Sequence, residues 1–146
     1  MRRPVETILR GKPAQLHALG PQASVREAVR LMNQHNIGAV LVLDGDQQLL
    51  GIFTERDVLR RVIEQRLDYD ATPVEEVMTR KVFVIPPQTP IEDALALVDK
   101  HNCRHLPVMD GDRLHGMISI RDLTAAVVAD RETEIRELTS YIAGSY

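Results

Sequence analysis

The chain is poor in the residues that most often announce a binding chemistry. Its 146 residues include one cysteine, no tryptophan, two phenylalanines and three tyrosines. With Cys103 alone no intrachain disulfide can form, which suits a reducing compartment. A groove for single-stranded nucleic acid needs stacking rings and positive charge, and both are missing. Basic side chains number 18 against 21 acidic ones, a formal net charge of -3, which also disfavours DNA. The apolar run 39–43 falls far short of the roughly 20 residues that span a bilayer. Behind Met1-Arg2-Arg3, the residues Pro4, Glu6 and Thr7 interrupt any secretory apolar region. The eight glycines form no cluster of the kind that cradles phosphate in Walker or dinucleotide loops. The expectation is a cytoplasmic protein with no membrane or nucleic-acid partner.

What is present is ordinary in amount and unusual in arrangement. An apolar fraction of 44% and a charged fraction of 27% belong to a folded chain. The length fits one domain or a compact pair of repeats, able to build a core without disulfides or a structural metal. A repeat is visible. Asp44-Gly45-Asp46 returns as Asp110-Gly111-Asp112, an offset of 66, and His35-Asn36, Ala28, Leu31, Val42 and Pro21-Gln22 all find partners at that offset. Beyond the turn, Gly51, Arg56 and Asp57 match Gly116, Arg121 and Asp122 at 65, and Pro4-Val5-Glu6 matches Pro73-Val74-Glu75 at 69.

Each copy reads as β-α-β-β-α. Strand candidates at 16–19 and 82–85 open the two copies. Ser24 with Glu27 three residues later is a helix start, and Val25, Ala28, Val29 and Met32 share one helical face. The run 38–43 reads as a buried strand, Asp44-Gly45 as a hairpin turn and 49–53 as the return strand. A second helix opens at Thr54 and carries Val58, Leu59, Val62 and Ile63. The second copy predicts a helix at 91–100, strands at 106–109 and 114–118, and a helix after Ser119. The domain reading is 1–66 and 74–130 for the repeats, with 67–73 as connector. Residues 131–146 form a C-terminal amphipathic helix and tail, with Ile135, Leu138 and Ile142 on one face and Gly144 as its stop. Packing of this helix within the chain and contact with a second subunit both remain open.

Two segments carry a shared motif, Gly51-Ile52-Phe53-Thr54-Glu55-Arg56-Asp57 and Gly116-Met117-Ile118-Ser119-Ile120-Arg121-Asp122. With Asn102-Cys103-Arg104-His105-Leu106-Pro107-Val108, they make the chain resemble a tandem pair of cystathionine β-synthase (CBS) domains, a Bateman module, from about Val5 to Ala129. The fold so implied is α/β (α+β), two pseudo-symmetric repeats packed through their sheets, plus the C-terminal helix. No stretch is left in which to expect a catalytic domain. The resemblance implies a regulatory, energy-sensing module, not an enzyme, that binds adenosine nucleotides in the cleft between repeats. AMP comes first, then ADP, ATP, NAD(H) and S-adenosyl compounds, with no required cofactor. Such modules commonly form disc-shaped homodimers that regulate another protein.

Hydroxyl and carboxylate three residues apart at a helix start also form a capping box, so Thr54 with Asp57 and Ser119 with Asp122 have two compatible readings. A helix N-terminus with free N–H donors suits a phosphate as well. In the family the aspartate accepts from the ribose hydroxyls, a match for an acceptor-only carboxylate. The resemblance therefore implies a first site of Thr54, Arg56, Asp57, Lys81, Val82, Arg104, His105 and Pro107, since the basic pair of one repeat faces the ribose motif of the other. Arg104 can grip phosphate through two parallel bonds, and the charge of His105 varies near neutral pH, so this site is expected to bind more tightly.

The second site would use Leu16, Gly38, Ala39, Ile118, Ser119, Arg121 and Asp122. It lacks the basic pair, and Gly38-Ala39 could instead make room for a larger ligand such as a dinucleotide. Arg56 and Arg121 have a plainer reading as solvated helix-face residues. Adenine would lie among aliphatic groups near Val82 and Ile52, or Leu16 and Met117.

Other constellations carry less. His101, Cys103 and His105 alternate as zinc ligands could, yet the repeat puts His101 at a helix end and supplies no fourth ligand, so no metal is expected. A lone cysteine is more often a small buried apolar residue than a nucleophile. Asp44, Asp46, Asp110 and Asp112 flank turn glycines and are turn residues. The competing function is a ligand-independent dimerisation and protein-interaction module, motivated by the C-terminal helix.

Overall fold

The computed structural model describes residues 2–12 and 16–144. In chain order the elements are α1 (Glu6–Arg10), β1 (Ala18–Leu19), α2 (Val25–His35), β2 (Ala39–Leu43), β3 (Leu49–Thr54) and α3 (Glu55–Asp57). A π-helical stretch Val58–Ile63 and a short 3-10 turn Val74–Glu76 precede α4 (Ile91–His101), β4 (His105–Asp110), β5 (Arg113–Ser119) and α5 (Ile120–Gly144). The two compact units do not coincide with the two repeats as segments of chain. One, built on the first repeat, is Gln15–Val84 with Gly111–Leu114; the other, built on the second, is Met1–Ala14, Ile85–Asp110 and His115–Tyr146.

In the first-repeat unit, α2 begins in the predicted capping box, where Ser24 Oγ accepts from the Glu27 N–H and the Glu27 carboxylate accepts from the Ser24 N–H. It ends at Asn36, left-handed at φ 51°. Val25, Ala28 and Met32 face inward as the periodicity requires. Strand β2 is buried along its whole length, parallel to β1 and antiparallel to β3. The hairpin lies where Asp44-Gly45 puts it, but the left-handed residue is Gln47 (φ 62°). Asp44 Oδ1 accepts from the N–H groups of Asp46 and Gln48, an Asx arrangement that fixes the turn without a left-handed glycine. Phe53, Val40, Val42 and Val62 fill the core beside Val74, Val77 and Met78.

Those last three come from beyond the connector, and the exchange they represent occurs in both units. Val74 N–H donates to Ala23 O and Glu75 N–H to Pro21 O; in the other unit Val5 N–H donates to Thr89 O and Glu6 N–H to Pro87 O. The first N–H of α2, at Val25, reaches Thr72 O, while that of α4, at Ile91, reaches Arg3 O. Pro90 offers α4 no side-chain cap, so a carbonyl from the chain's own N-terminal segment satisfies a donor that would otherwise be an orphan. Each repeat is thus completed by the segment that precedes the other repeat in sequence. The connector is not a free linker: Arg26 N–H donates to Tyr69 O, and the Arg26 guanidinium pairs with Asp70 while lying 4.7 Å above the Tyr69 ring.

The strand expected at 82–85 does not form. Only Ile85 bridges Val108, in parallel, through Ile85 N–H to Pro107 O and Met109 N–H to Ile85 O. The equivalent ladder in the first repeat continues through Leu41 N–H to His17 O at 3.0 Å. Pro107 occupies the place of Leu41 and has no N–H to donate, so the ladder stops. The separate C-terminal helix at 131–146 is also not separate. Residues 120–143 contain no glycine or proline, and α5 runs unbroken from Ile120 to Gly144. The helix after Asp57 is π-helical over Val58–Ile63; Val62 is buried, while Leu59 and Ile63 are exposed.

Candidate functional site: two carboxylate boxes

Each motif glycine is an approach point. A Cβ on Gly51 would lie 2.7 Å from Thr79 O and 2.8 Å from Met78 Sδ; on Gly116 it would lie 2.8 Å from Leu9 Cδ2. The motif strand in each unit is therefore pressed against the exchanged segment, and the helix start that follows is held beside it.

At the first box, Asp57 is 6% exposed and both of its oxygens are engaged. Oδ2 accepts from Thr54 N–H at 3.0 Å and Thr54 Oγ1 at 3.2 Å, while Thr54 Oγ1 accepts from Asp57 N–H at 3.2 Å. Oδ1 accepts from Thr79 Oγ1 at 3.0 Å, with Arg61 Nε 3.7 Å away. Arg61 is pinned by its Nη1, which donates to Val77 O and Met78 O. The capping reading of Thr54 and Asp57 thus holds in full.

The second box repeats the cap and changes its cover. Ser119 N–H donates to Asp122 Oδ2 at 2.9 Å, and Asp122 N–H to Ser119 Oγ at 3.1 Å. Lys12 Nζ lies 2.8 Å from Asp122 Oδ2 and 3.2 Å from Met117 O. Burial pushes the Asp122 carboxyl up, but the Lys12 hydrogen bond, the Ser119 backbone N–H and the Lys12 charge together outweigh it, so it sits below the ordinary carboxylate range. Among the described residues Oδ1 of Asp122 accepts no hydrogen bond.

The remaining residues singled out in the sequence divide between the units. With the first box lie Gly38, whose carbonyl accepts from Glu55 N–H, and Ala39, paired with Thr54 in the sheet. Leu16, Lys81, Val82 and a half-buried Arg56 belong to the same unit. With the second box lie Arg104, whose carbonyl accepts from Ile120 N–H at 2.8 Å, and His105 at the start of β4. Pro107 and Ile118 are buried there, and Arg121 is exposed. Within each unit the residue pair that opens the central strand therefore backs onto the helix start of the same repeat. Thr79, Arg61 and Lys12 were not legible as site residues. Thr79 and Arg61 have no counterpart at the repeat offsets, whereas Lys12 matches Lys81 at the offset of 69; only the exchanged segments bring Thr79 and Lys12 to the boxes.

No group of three His, Cys, Asp or Glu side chains that could hold a metal ion occurs among the described residues, and none of their helices is long and apolar enough to cross a membrane.

Both halves of the chain match the family model of the CBS domain, over residues 1–64 and 74–129. The chain belongs to the CBS domain family. This CBS pair is 40% identical over 127 residues to a mitochondrial CBS domain-containing protein of Arabidopsis thaliana, covering 84% of this chain and 62% of that relative's length. It is similar to the solved structure of a CBS-domain protein from Burkholderia ambifaria, with 43% identity, a TM-score of 0.83, and coverage of 87% of this chain and 95% of that one. A CBS domain protein of Pyrobaculum aerophilum, solved complexed with AMP, shares the fold at 24% identity and a TM-score of 0.72, over 82% of this chain and 88% of that one.

Proposed function

We propose that this CBS pair is a regulatory module that binds adenosine nucleotides, AMP foremost, and conveys their level to a partner protein. The observation that carries the reading is the duplicated box: in each repeat a carboxylate is fixed at a helix N-terminus, behind a glycine-bearing strand, in the position that the family uses for ribose. Asp122 adds an open acceptor oxygen, suited to a sugar hydroxyl. The AMP held by the Pyrobaculum aerophilum protein supports the ligand class. ADP, ATP, NAD(H) and S-adenosyl compounds are the nearest alternatives. The chemistry of the boxes is binding; the protein is not an enzyme on this reading. Thr54, Arg56, Lys81 and Val82 serve with Asp57, and Ser119 and Arg121 with Asp122, while Arg104 and His105 supply charge for phosphate.

The test is direct. Mass spectrometry of nucleotide carried through purification, followed by calorimetry with AMP, ADP, ATP, NAD and S-adenosylmethionine, is expected to find at least one adenosine ligand that binds. Neither heat nor thermal shift with any of them would remove the reading.

A second reading, a homodimer formed without ligand, is favoured by α5. Val128, Ile135, Leu138 and Ile142 are each more than half exposed and follow one another at seven, three and four residues along one helix face. The two readings are compatible, since a dimer can also carry the ligand.

A further inference from the structure

The boxes are alike in their caps and unlike in how a cation meets the carboxylate. In the first, Thr79 closes the site, its N–H donating to Ile52 O at 2.8 Å and its hydroxyl to Asp57, while the Arg61 guanidinium stands 3.7 Å from the carboxylate without a hydrogen bond to it. Met117 and Asp122 are the counterparts of Ile52 and Asp57, and there a single ammonium performs both tasks. Lys12 Nζ reaches Met117 O and Asp122 Oδ2. An ammonium has three donors, and among the described residues these two contacts leave one over. The side chains of Lys12 and Asp122 are 39% and 24% exposed, whereas Asp57 is at 8%. An uncommitted donor of Lys12 and the open Oδ1 of Asp122 thus sit side by side within solvent reach. Such a pair suits a molecule that brings hydroxyl donors and an anionic acceptor together.

We propose that Lys12 is the specificity-determining cation of the second box, making it favour a phosphorylated adenosine over the neutral nucleoside. The proposal rests on the adenosine reading above. The charge is delivered to the second box by the exchanged N-terminal segment. Asp122 takes the ribose through Oδ1, and Lys12 stays tethered by Met117 O while it turns its third donor to phosphate. A purely structural Lys12 would be a brace that stands in for Thr79 and is indifferent to the ligand's charge.

Calorimetry with adenosine and with AMP on the wild-type chain, Lys12→Met, Lys12→Arg and Asp122→Asn separates these roles. The event weakened in Asp122→Asn identifies the second box. For that event Lys12→Met is expected to weaken AMP about ten-fold or more, the size expected for a lost hydrogen bond to a charged group, while adenosine changes less than about two-fold. Lys12→Arg is expected to restore most of the AMP affinity. Equal losses for both ligands, or no loss for either, would overturn the role of Lys12 and leave the adenosine reading standing. A wild-type chain that binds neither ligand overturns the role of Lys12, and the adenosine reading falls with it when ADP, ATP, NAD and S-adenosylmethionine give no binding either. Thermal unfolding of each variant checks that folding is intact.

Discussion

Thr79 donates its hydroxyl to the buried carboxylate of Asp57 across 22 positions of sequence, at 3.0 Å. The bond joins the exchanged segment to the helix start of the first box. Thr79→Val keeps the shape and removes the donor from a charged acceptor, a loss of about 1.5–3 kcal/mol. Urea unfolding is expected to show that drop; a change within error would mean that water replaces the hydroxyl at no cost.

Asp57→Ala and Asp122→Ala are expected to differ. Both lose a cap, worth about 0.5–2 kcal/mol. Asp57→Ala also strands the half-buried Thr79 hydroxyl, so its stability loss should be the larger. Equal midpoint shifts in chemical denaturation would contradict the difference in burial.

The two motif glycines give a second contrast. A methyl at Gly51 meets backbone, Thr79 O, which cannot move without opening the bridge to Ile52, whereas at Gly116 it meets the end of the Leu9 side chain. Gly51→Ala is therefore expected to cost about 1–3 kcal/mol as overpacking, and Gly116→Ala distinctly less. The reverse order would show that the segment carrying Thr79 yields more readily than Leu9.

Asp122 links stability to acid. Its carboxyl lies below the ordinary value in the folded protein, so its contribution is complete above that ordinary value and is lost as pH falls through the lowered one. Asp122→Asn should therefore lose stability less steeply over that window. In an NMR titration Lys12→Met is expected to raise the Asp122 pKa; an unmoved titration would place the cause elsewhere.

For α5, Ile135→Asp combined with Leu138→Asp tests the homodimer. Sedimentation is expected to give a dimer for the wild-type chain and a monomer for the double variant. Thermal stability of the monomer should fall little, because both side chains are exposed in the isolated chain. A dimer that survives both substitutions would move the interface off this face.

The repeat, the helices α2 and α4, both hairpins and the two boxes were legible in the sequence, because each depends on local rules. Ser24 and Glu27, Thr54 and Asp57, and Ser119 and Asp122 lie three residues apart, a spacing at which a helix start closes on itself whatever surrounds it. Alternation, capping and turn residues act over a few positions, and so a single chain displays them. Tertiary structure alone decided which segment completes which repeat. Val5 is bound to Thr89, Val74 to Ala23, and Lys12 and Thr79 to the two carboxylates, over separations that no periodicity encodes. Pro107 shows how the two levels meet: the sequence displays the proline, but its effect, a strand that stops at Ile85, follows only from the carbonyl that parallel pairing would have placed opposite its missing N–H. The motif is local and was found; the ammonium that bonds the second carboxylate arrives from a distant segment through packing.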